Sequence, residues 1–467
     1  MKGLTLKEIA RVCGGILHNC GEEQKEQEVT SITTDSRKAE PGGLFVAIPG
    51  ERVDGHRFIP QVMEQHALAV IAEHELPGAE HPYIQVKSSL QAVKDIAELY
   101  LKNLGIPVVG ITGSVGKTST KEMIASVLSR KYRTLKTEGN FNNELGLPLT
   151  VFRLRDEDEI AVLEMGISDF GEMHRLAKIA RPDTAVLTNI GWCHLENLKD
   201  RDGILKAKTE IFDFLKEDGH VVLNGDDDKL SGVADVRGIH PVRFGLSPEL
   251  EYFADEIRPL GFSGSQCRLH TPQGEIEVRI PMPGRHMVYN ALAGAAVGQI
   301  YGLTLEQIRE GIEALQPVAG RFHIIETGKY TVIDDCYNAN PVSMEASLNI
   351  LKDGPGRRIA VLGDMGELGS EEKELHARVG VCAAKSGIDA LYCAGPLSAE
   401  MAHAAAERNP DMEIRHFQSR DELIRNLPDL LRTGDTILVK ASHFMEYGKI
   451  VEWLERWQGQ DTGNTQQ

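Results

Sequence analysis

The chain has no apolar run long enough to cross a bilayer, no Cys-x-x-Cys pair and no surplus of positive charge. Without about 20 consecutive apolar residues no membrane-spanning helix is expected. The seven cysteines are scattered and odd in number, which argues against a disulfide framework and fits a reducing compartment. With 51 basic against 69 acidic side chains the net charge is -18, which argues against a nonspecific grip on nucleic acid or on an acidic membrane. It leaves room for a small anionic substrate, because backbone N–H groups or a metal ion can hold phosphate on an acidic protein. The opening Met1-Lys2-Gly3-Leu4-Thr5-Leu6 reads as the start of a folded helix rather than a secretory leader. A cytoplasmic protein that touches neither nucleic acid nor membrane is expected, and a monomer is the default.

What is present is a globular composition, 41% apolar and 26% charged. At 467 residues the chain is too long for one core, and about two to four domains are expected. Three blocks emerge. Residues 1–84 hold short strand signals at 29–33, 43–48 and 68–72, which suggest a small α/β unit. Residues 85–316 open with a helical stretch, Ser89 to Leu104. They then alternate strand and helix, with strands near 107–111, 160–164, 184–188 and 220–223. That rhythm predicts a mostly parallel sheet covered by helices. Inside this block 240–282 reads as β-hairpins, and Asn290 to Tyr301 as an Ala- and Gly-rich helix. Residues 317–457 start a second alternating series, with strands near 330–334, 358–362, 389–393 and 436–439, and predict a Rossmann-like unit. The polar tail 458–467 reads as disordered.

The run Gly110-Ile111-Thr112-Gly113-Ser114-Val115-Gly116-Lys117-Thr118-Ser119 carries the most chemistry. It follows an apolar strand and opens a helical stretch, Thr118 to Leu128. A glycine-rich strand-to-helix turn aims several backbone N–H groups and the positive end of a helix dipole at one spot. Lys117 adds a cation for the β/γ-phosphates, and Thr118 a hydroxyl for Mg²⁺. Binding of a nucleoside triphosphate, ATP above all, is expected.

An ATP site needs metal ligands. Glu164 ends the strand Ile160-Ala161-Val162-Leu163, on the side of the sheet where the phosphate loop lies. It can hold metal directly or through water, or stand as a solvated carboxylate. His194 follows the strand 184–188 on the same edge, where a lone histidine is as compatible with a structural role. Lys208 lies on a helical run, and by itself means little.

These residues, with others in order along the chain, resemble the Mur ligase superfamily. Thr34-Asp35-Ser36-Arg37, Pro41 to Ile48 and Asp54 to Phe58 resemble its uridine-nucleotide domain. Gly113 to Ser119 resembles its phosphate loop. Lys136 to Thr150, Asp334-Asp335-Cys336-Tyr337-Asn338-Ala339-Asn340-Pro341 and Leu362 to Gly369 resemble further runs. The implied fold class is α/β in three domains: a small N-terminal α/β uridine-nucleotide domain, a central P-loop ATPase domain with a mostly parallel sheet, and a C-terminal Rossmann-like domain.

The resemblance also implies roles. Glu164 and His194 become ligands of a second Mg²⁺, Thr118 of the first. Lys208 becomes a lysine carbamylated by CO₂ that bridges to metal. Gly113, Ser114, Val115, Gly116, Lys117, Thr118 and Ser119 take the phosphates, Asn290 the adenine, Arg321 the phosphates from the third domain, and Asp335 the ribose side. Lys117, Lys208, His194 and Arg321 become the catalytic set. Thr34, Asp35, Ser36, Arg37, Thr137, Asn140, Asn142 and Asn143 become the uridine-substrate set. Met287, His443 and Phe444 depart from the family pattern.

The implied reaction joins D-alanyl-D-alanine to UDP-N-acetylmuramoyl-tripeptide, with ATP and through an acyl phosphate, for peptidoglycan synthesis and hence cell shape and division. No base for the incoming amine is identified among His174, His194 and His443. A sister ligase adding the third amino acid is the nearest alternative, and it carries an Asp-Asn-Pro-Arg element absent here. A P-loop switch or binding module would explain Gly113 to Thr118 but not the other runs.

Overall fold

The computed structural model describes residues 1–50 and 53–457; the tail 458–467 lies outside them. Three sheets follow one another along the chain. The first has the order Ile16–His18, Tyr83–Gln85, Ala69–Ala72, Leu44–Val46, Ile32–Thr33. All its pairings are parallel except the one between Ile16–His18 and Tyr83–Gln85. Those two strands carry no sequence signal of their own, and the second straddles residue 84, where the first block was expected to end.

The helix Ser89–Leu104 then leads into the second sheet. Ser88 caps it by accepting from Gln91 N, and Gly105 ends it in the left-handed region at φ +65. Its apolar face, with Val93, Ile96, Ala97 and Tyr100, is buried in a cluster that also holds Leu4, Ile9 and Leu163. The first and central units therefore share a core.

The second sheet has nine strands, in the order Gly274–Ile280, Ser265–Thr271, Tyr252–Pro259, Val242–Gly245, His220–Asn224, Thr184–Leu187, Val108–Thr112, Ile160–Glu164, Thr134–Lys136. Val108–Thr112 lies deep within it, and every one of its residues is buried, as expected of a strand covered on both faces. The expectation of hairpins over 240–282 holds only from Tyr252 onward. Val242–Gly245 instead pairs in parallel with His220–Asn224, and Tyr252–Pro259 in parallel with Val242–Gly245. Residue pattern alone does not separate a strand that pairs in parallel with its predecessor from one that turns back on it.

The third sheet has six strands, in the order His323–Glu326, Thr331–Asp334, Thr436–Lys440, Arg358–Gly363, Ala390–Ala394, Glu413–Phe417. All pair in parallel except His323–Glu326. The C-terminal ends of parallel strands from all three sheets open toward one cavity, whose lining includes Ile48, Glu164, Thr188, Asn224, Asp335 and Lys440. No helix among the described residues is long and apolar enough to cross a membrane.

Candidate active site

The cavity has a volume of about 1030 Å³. Its floor is the turn between the strand Val108–Thr112 and the helix Lys117–Leu128. Gly113 has φ +151, and a Cβ there would lie 1.9 Å from Thr188 Oγ1. Gly116 caps the helix at φ +83. Only glycine meets both demands without strain. The turn is fastened to the neighbouring strand end: Ser114 N donates to Asn189 O at 3.0 Å, Val115 N to Asn189 Oδ1 at 2.9 Å, and Thr188 Oγ1 to Val115 O at 2.7 Å. Ser114 to Ser119 line the cavity, at the helix end whose first N–H groups have no intrahelical partner. Lys117 Nζ is folded back on its own loop, donating to Gly113 O at 2.9 Å.

Glu164 stands beside this turn and is 2% exposed. Its Oε1 accepts from Asn142 Nδ2 at 2.8 Å and from Thr118 Oγ1 at 3.3 Å. Its Oε2 is buried without a hydrogen bond among the described residues, and lies 3.7 Å from Lys121 Nζ. A buried carboxylate oxygen with no hydrogen bond, next to a threonine hydroxyl at a phosphate loop, is the hard-oxygen chemistry that fits Mg²⁺. His194 lines the same cavity, with Nδ1 2.6 Å from Glu367 Oε2 of the third domain.

Arg321 reaches in from that domain. Its Nη2 donates to Thr118 Oγ1 at 3.1 Å, its Cζ sits 3.9 Å over the centre of the Tyr337 ring, and its Nε is buried without a partner among the described residues. Asp335 lines the cavity, but both its oxygens are engaged. Oδ1 accepts from Phe322 N at 3.2 Å, and Oδ2 from Ser347 Oγ and from Lys440 Nζ, each at 2.6 Å. Asn290 is likewise held: Oδ1 accepts from Thr120 Oγ1 at 2.8 Å, and Nδ2 donates to Met287 Sδ at 3.3 Å.

Lys208 is 1% exposed and lies behind the cavity rather than in its lining. Burial, with Lys117 nearby, pulls its ammonium down to about 8, so the neutral amine is a minor but accessible form near physiological pH. The uridine-substrate set divides. Thr34, Asp35, Ser36 and Arg37 lie beyond the lining, on the turn after Ile32–Thr33, where the Arg37 guanidinium holds the Asp35 carboxyl down to about 2. Asn140, Asn142 and Asn143 follow Thr134–Lys136, and only the last two line the cavity. Asn142 holds Glu164, and Asn143 Oδ1 accepts from Gly146 N at 2.8 Å. Thr137, expected as a substrate contact, is fully buried outside the lining, and its hydroxyl accepts from Glu164 N at 3.0 Å, which fixes the carboxylate's backbone.

His174 and His443 are not part of the lining. His174 contacts Asp213 on the surface at 2.6 Å, and His443 is exposed, 5.7 Å from the Tyr337 ring. Three residues escaped the sequence reading. Lys121, on the helix after the phosphate loop, is 1% exposed and donates to Thr137 O at 2.6 Å. Lys440 holds Asp335 in place within the third domain. Glu367 meets His194, and its place in the run Leu362 to Gly369 was the one signal for it.

Comparison with known proteins accounts for this assembly. Residues 28–109 match the Mur ligase family catalytic domain, 111–298 the Mur ligase middle domain, and 320–443 the Mur ligase glutamate ligase domain. The UDP-N-acetylmuramoyl-tripeptide–D-alanyl-D-alanine ligase of Bacillus subtilis is 38% identical, over 96% of this chain and 98% of its own. A crystal structure of MurF from Acinetobacter baumannii superposes with a TM-score of 0.88 at 33% identity, covering 97% of this chain and 99% of that one. MurF ligase from Thermotoga maritima in complex with ADP gives 0.81 at 30% identity, over 91% and 97%. With its whole length accounted for in this way, the chain belongs to the Mur ligase family.

Proposed function

We propose that this chain is an ATP-dependent ligase that joins D-alanyl-D-alanine to UDP-N-acetylmuramoyl-tripeptide in peptidoglycan precursor synthesis. The observation that carries the reading is full-length similarity to ligases of that name, with a phosphate loop and Arg321 meeting in the lining of one cavity. The substrates make a cytoplasmic location fitting, and one chain supplies every group named, so a monomer suffices.

In this reading the tripeptide's terminal carboxylate attacks the γ-phosphorus of ATP, giving an acyl phosphate and ADP. The amine of D-alanyl-D-alanine then attacks the acyl carbon, and phosphate leaves. The first step brings two anions together. Lys117 leaves the carbonyls of Gly113 and Ser114 for the phosphates, and Arg321 turns from Thr118 to the same charge. Glu164, Thr118 and His194 would hold Mg²⁺, which supplies further positive charge when bound. Lys208, whose ammonium is pulled down to about 8 and meets no carboxylate among the described residues, fits reaction with CO₂ through its neutral fraction, and its carbamate would place an anion near Lys117. Closure of the third domain orients the reactants and excludes water.

Phosphate release is the test, with ATP, Mg²⁺, UDP-N-acetylmuramoyl-tripeptide and either D-alanyl-D-alanine or a single amino acid. Release only with the dipeptide, and a pentapeptide product by mass, is the expected result. Release with a single amino acid would move the chain to the sister ligase, and release indifferent to any amine would remove the ligase reading.

A further inference from the structure

Two residues in left-handed backbone conformation meet across the gap between the central and third domains. His194, at φ +50, precedes the short helix Leu195–Leu198, and Glu367, at φ +62, lies in the loop after Arg358–Gly363. Neither is glycine. Such strain persists only where the surroundings enforce it, and it collects at working sites. Glu367 Oε2 is 2.6 Å from His194 Nδ1, which is otherwise buried and unpartnered. The contact is short but off the line of a good hydrogen bond, as is common before ligands draw a site together.

Both segments are held firmly enough for the meeting to be specific. Met365 N donates to His376 Nε2 at 2.9 Å, and Gly366 N to Ser442 Oγ at 2.9 Å. On the other side, a Cβ on Gly369 would touch Leu195 Cβ at 3.9 Å. His194 Nε2 makes no hydrogen bond among the described residues, and the residue lines the cavity.

We propose that Glu367 is the positioning residue for His194: with the third domain against the central one it accepts a hydrogen bond from Nδ1–H and leaves Nε2 as the lone-pair nitrogen for the divalent cation. A neutral imidazole has one donor and one acceptor nitrogen, and whatever holds one decides the work of the other. The carboxylate comes from a different domain, so closure and metal binding each favour the other by the same factor. The proposal rests on the reading of His194 as a metal ligand given above, and goes beyond it in naming what makes that ligand competent.

The test uses Mn²⁺ alone as probe, followed by electron paramagnetic resonance on the full chain, with Glu367→Ala, Glu367→Gln and His194→Ala. The Glu367 side chain is 62% exposed, and thermal unfolding confirms that each variant folds. Glu367→Ala should weaken Mn²⁺ roughly 10–100-fold. Glu367→Gln keeps an oxygen of the same reach and should recover most of that loss. In ¹⁵N-histidine spectra the wild type and Glu367→Gln should show His194 protonated on Nδ1, and Glu367→Ala a mixture. If His194→Ala weakens Mn²⁺ while Glu367→Ala does not, the positioning role is overturned and the metal reading stands. If His194→Ala leaves Mn²⁺ unchanged, both fall. Equal losses in the Ala and Gln variants would overturn the tautomer argument in favour of charge alone.

Discussion

Lys121 is a cation buried among two carboxylates and a carbonyl. Its Nζ lies 3.2 Å from Glu122 Oε1 and 3.7 Å from Glu164 Oε2, and donates to Thr137 O. Removing one member of a buried ion pair costs about 3–5 kcal/mol, because the partner charge is left uncompensated. Lys121→Met should therefore lower stability by an amount of that order in urea unfolding, and activity should fall with it. Nothing in Thr118 to Leu128 marks this lysine, since its burial comes from Glu122, Thr137 and Glu164 closing round it. Gly113 was legible, and its reason is steric. Gly113→Ala should abolish binding of a fluorescent ATP analogue, because the new Cβ would stand where Thr188 Oγ1 does.

On the far side of Ile160–Glu164 from the phosphate-loop strand lies the edge strand Thr134–Lys136, three half-buried residues with no periodic signal. Thr137, just after it, gives Glu164 N its acceptor. Thr137→Val keeps the shape and strands that buried N–H, a change that costs about 1–3 kcal/mol; urea unfolding should show the loss, with Glu164→Gln in the same background adding less than it does alone. The loop 364–369 has its own support in His376, which is fully buried and accepts from Met365 N. Burial pulls this imidazole below its usual 6.5. The unfolded chain then binds a proton that the native chain refuses, so stability is full above about 6.5 and is lost as pH falls below it. Protection factors of the amides at 364–369, corrected for the intrinsic exchange rate at each pH, should fall between pH 7.5 and 5.5, and His376→Asn should flatten that dependence. Strands buried on both faces, such as Ile160–Glu164 and Arg358–Gly363, were readable as apolar runs. Ile16–His18 and Glu413–Phe417 were not, because the neighbours on their sheets, rather than their own residues, make them strands.

Across the whole molecule, three sheets aim their strand ends at one space, and the alternation of strand and helix made that organisation legible together with the phosphate loop. What the sequence could not state is which side chains spend their polar atoms on each other: Asn142 on Glu164, Asp335 on Lys440, Lys117 on Gly113. Those pairings depend on register and on how the third domain sits, neither of which has a local signature. Arg321→Ala should lower kcat by about 10²–10³ with little change in nucleotide affinity, as expected of a group that meets charge developing in the transition state; steady-state kinetics beside equilibrium binding separates the two. Arg321 lies immediately after Gly320 (φ +74), in the connection between the second and third sheets. A rotation about that connection carries nearby atoms a short way and distant ones far. A rotation there moves Arg321 least, so the arginine can keep to the phosphate loop while the contact of Glu367 with His194, 2.6 Å here, is made and broken as the third domain swings.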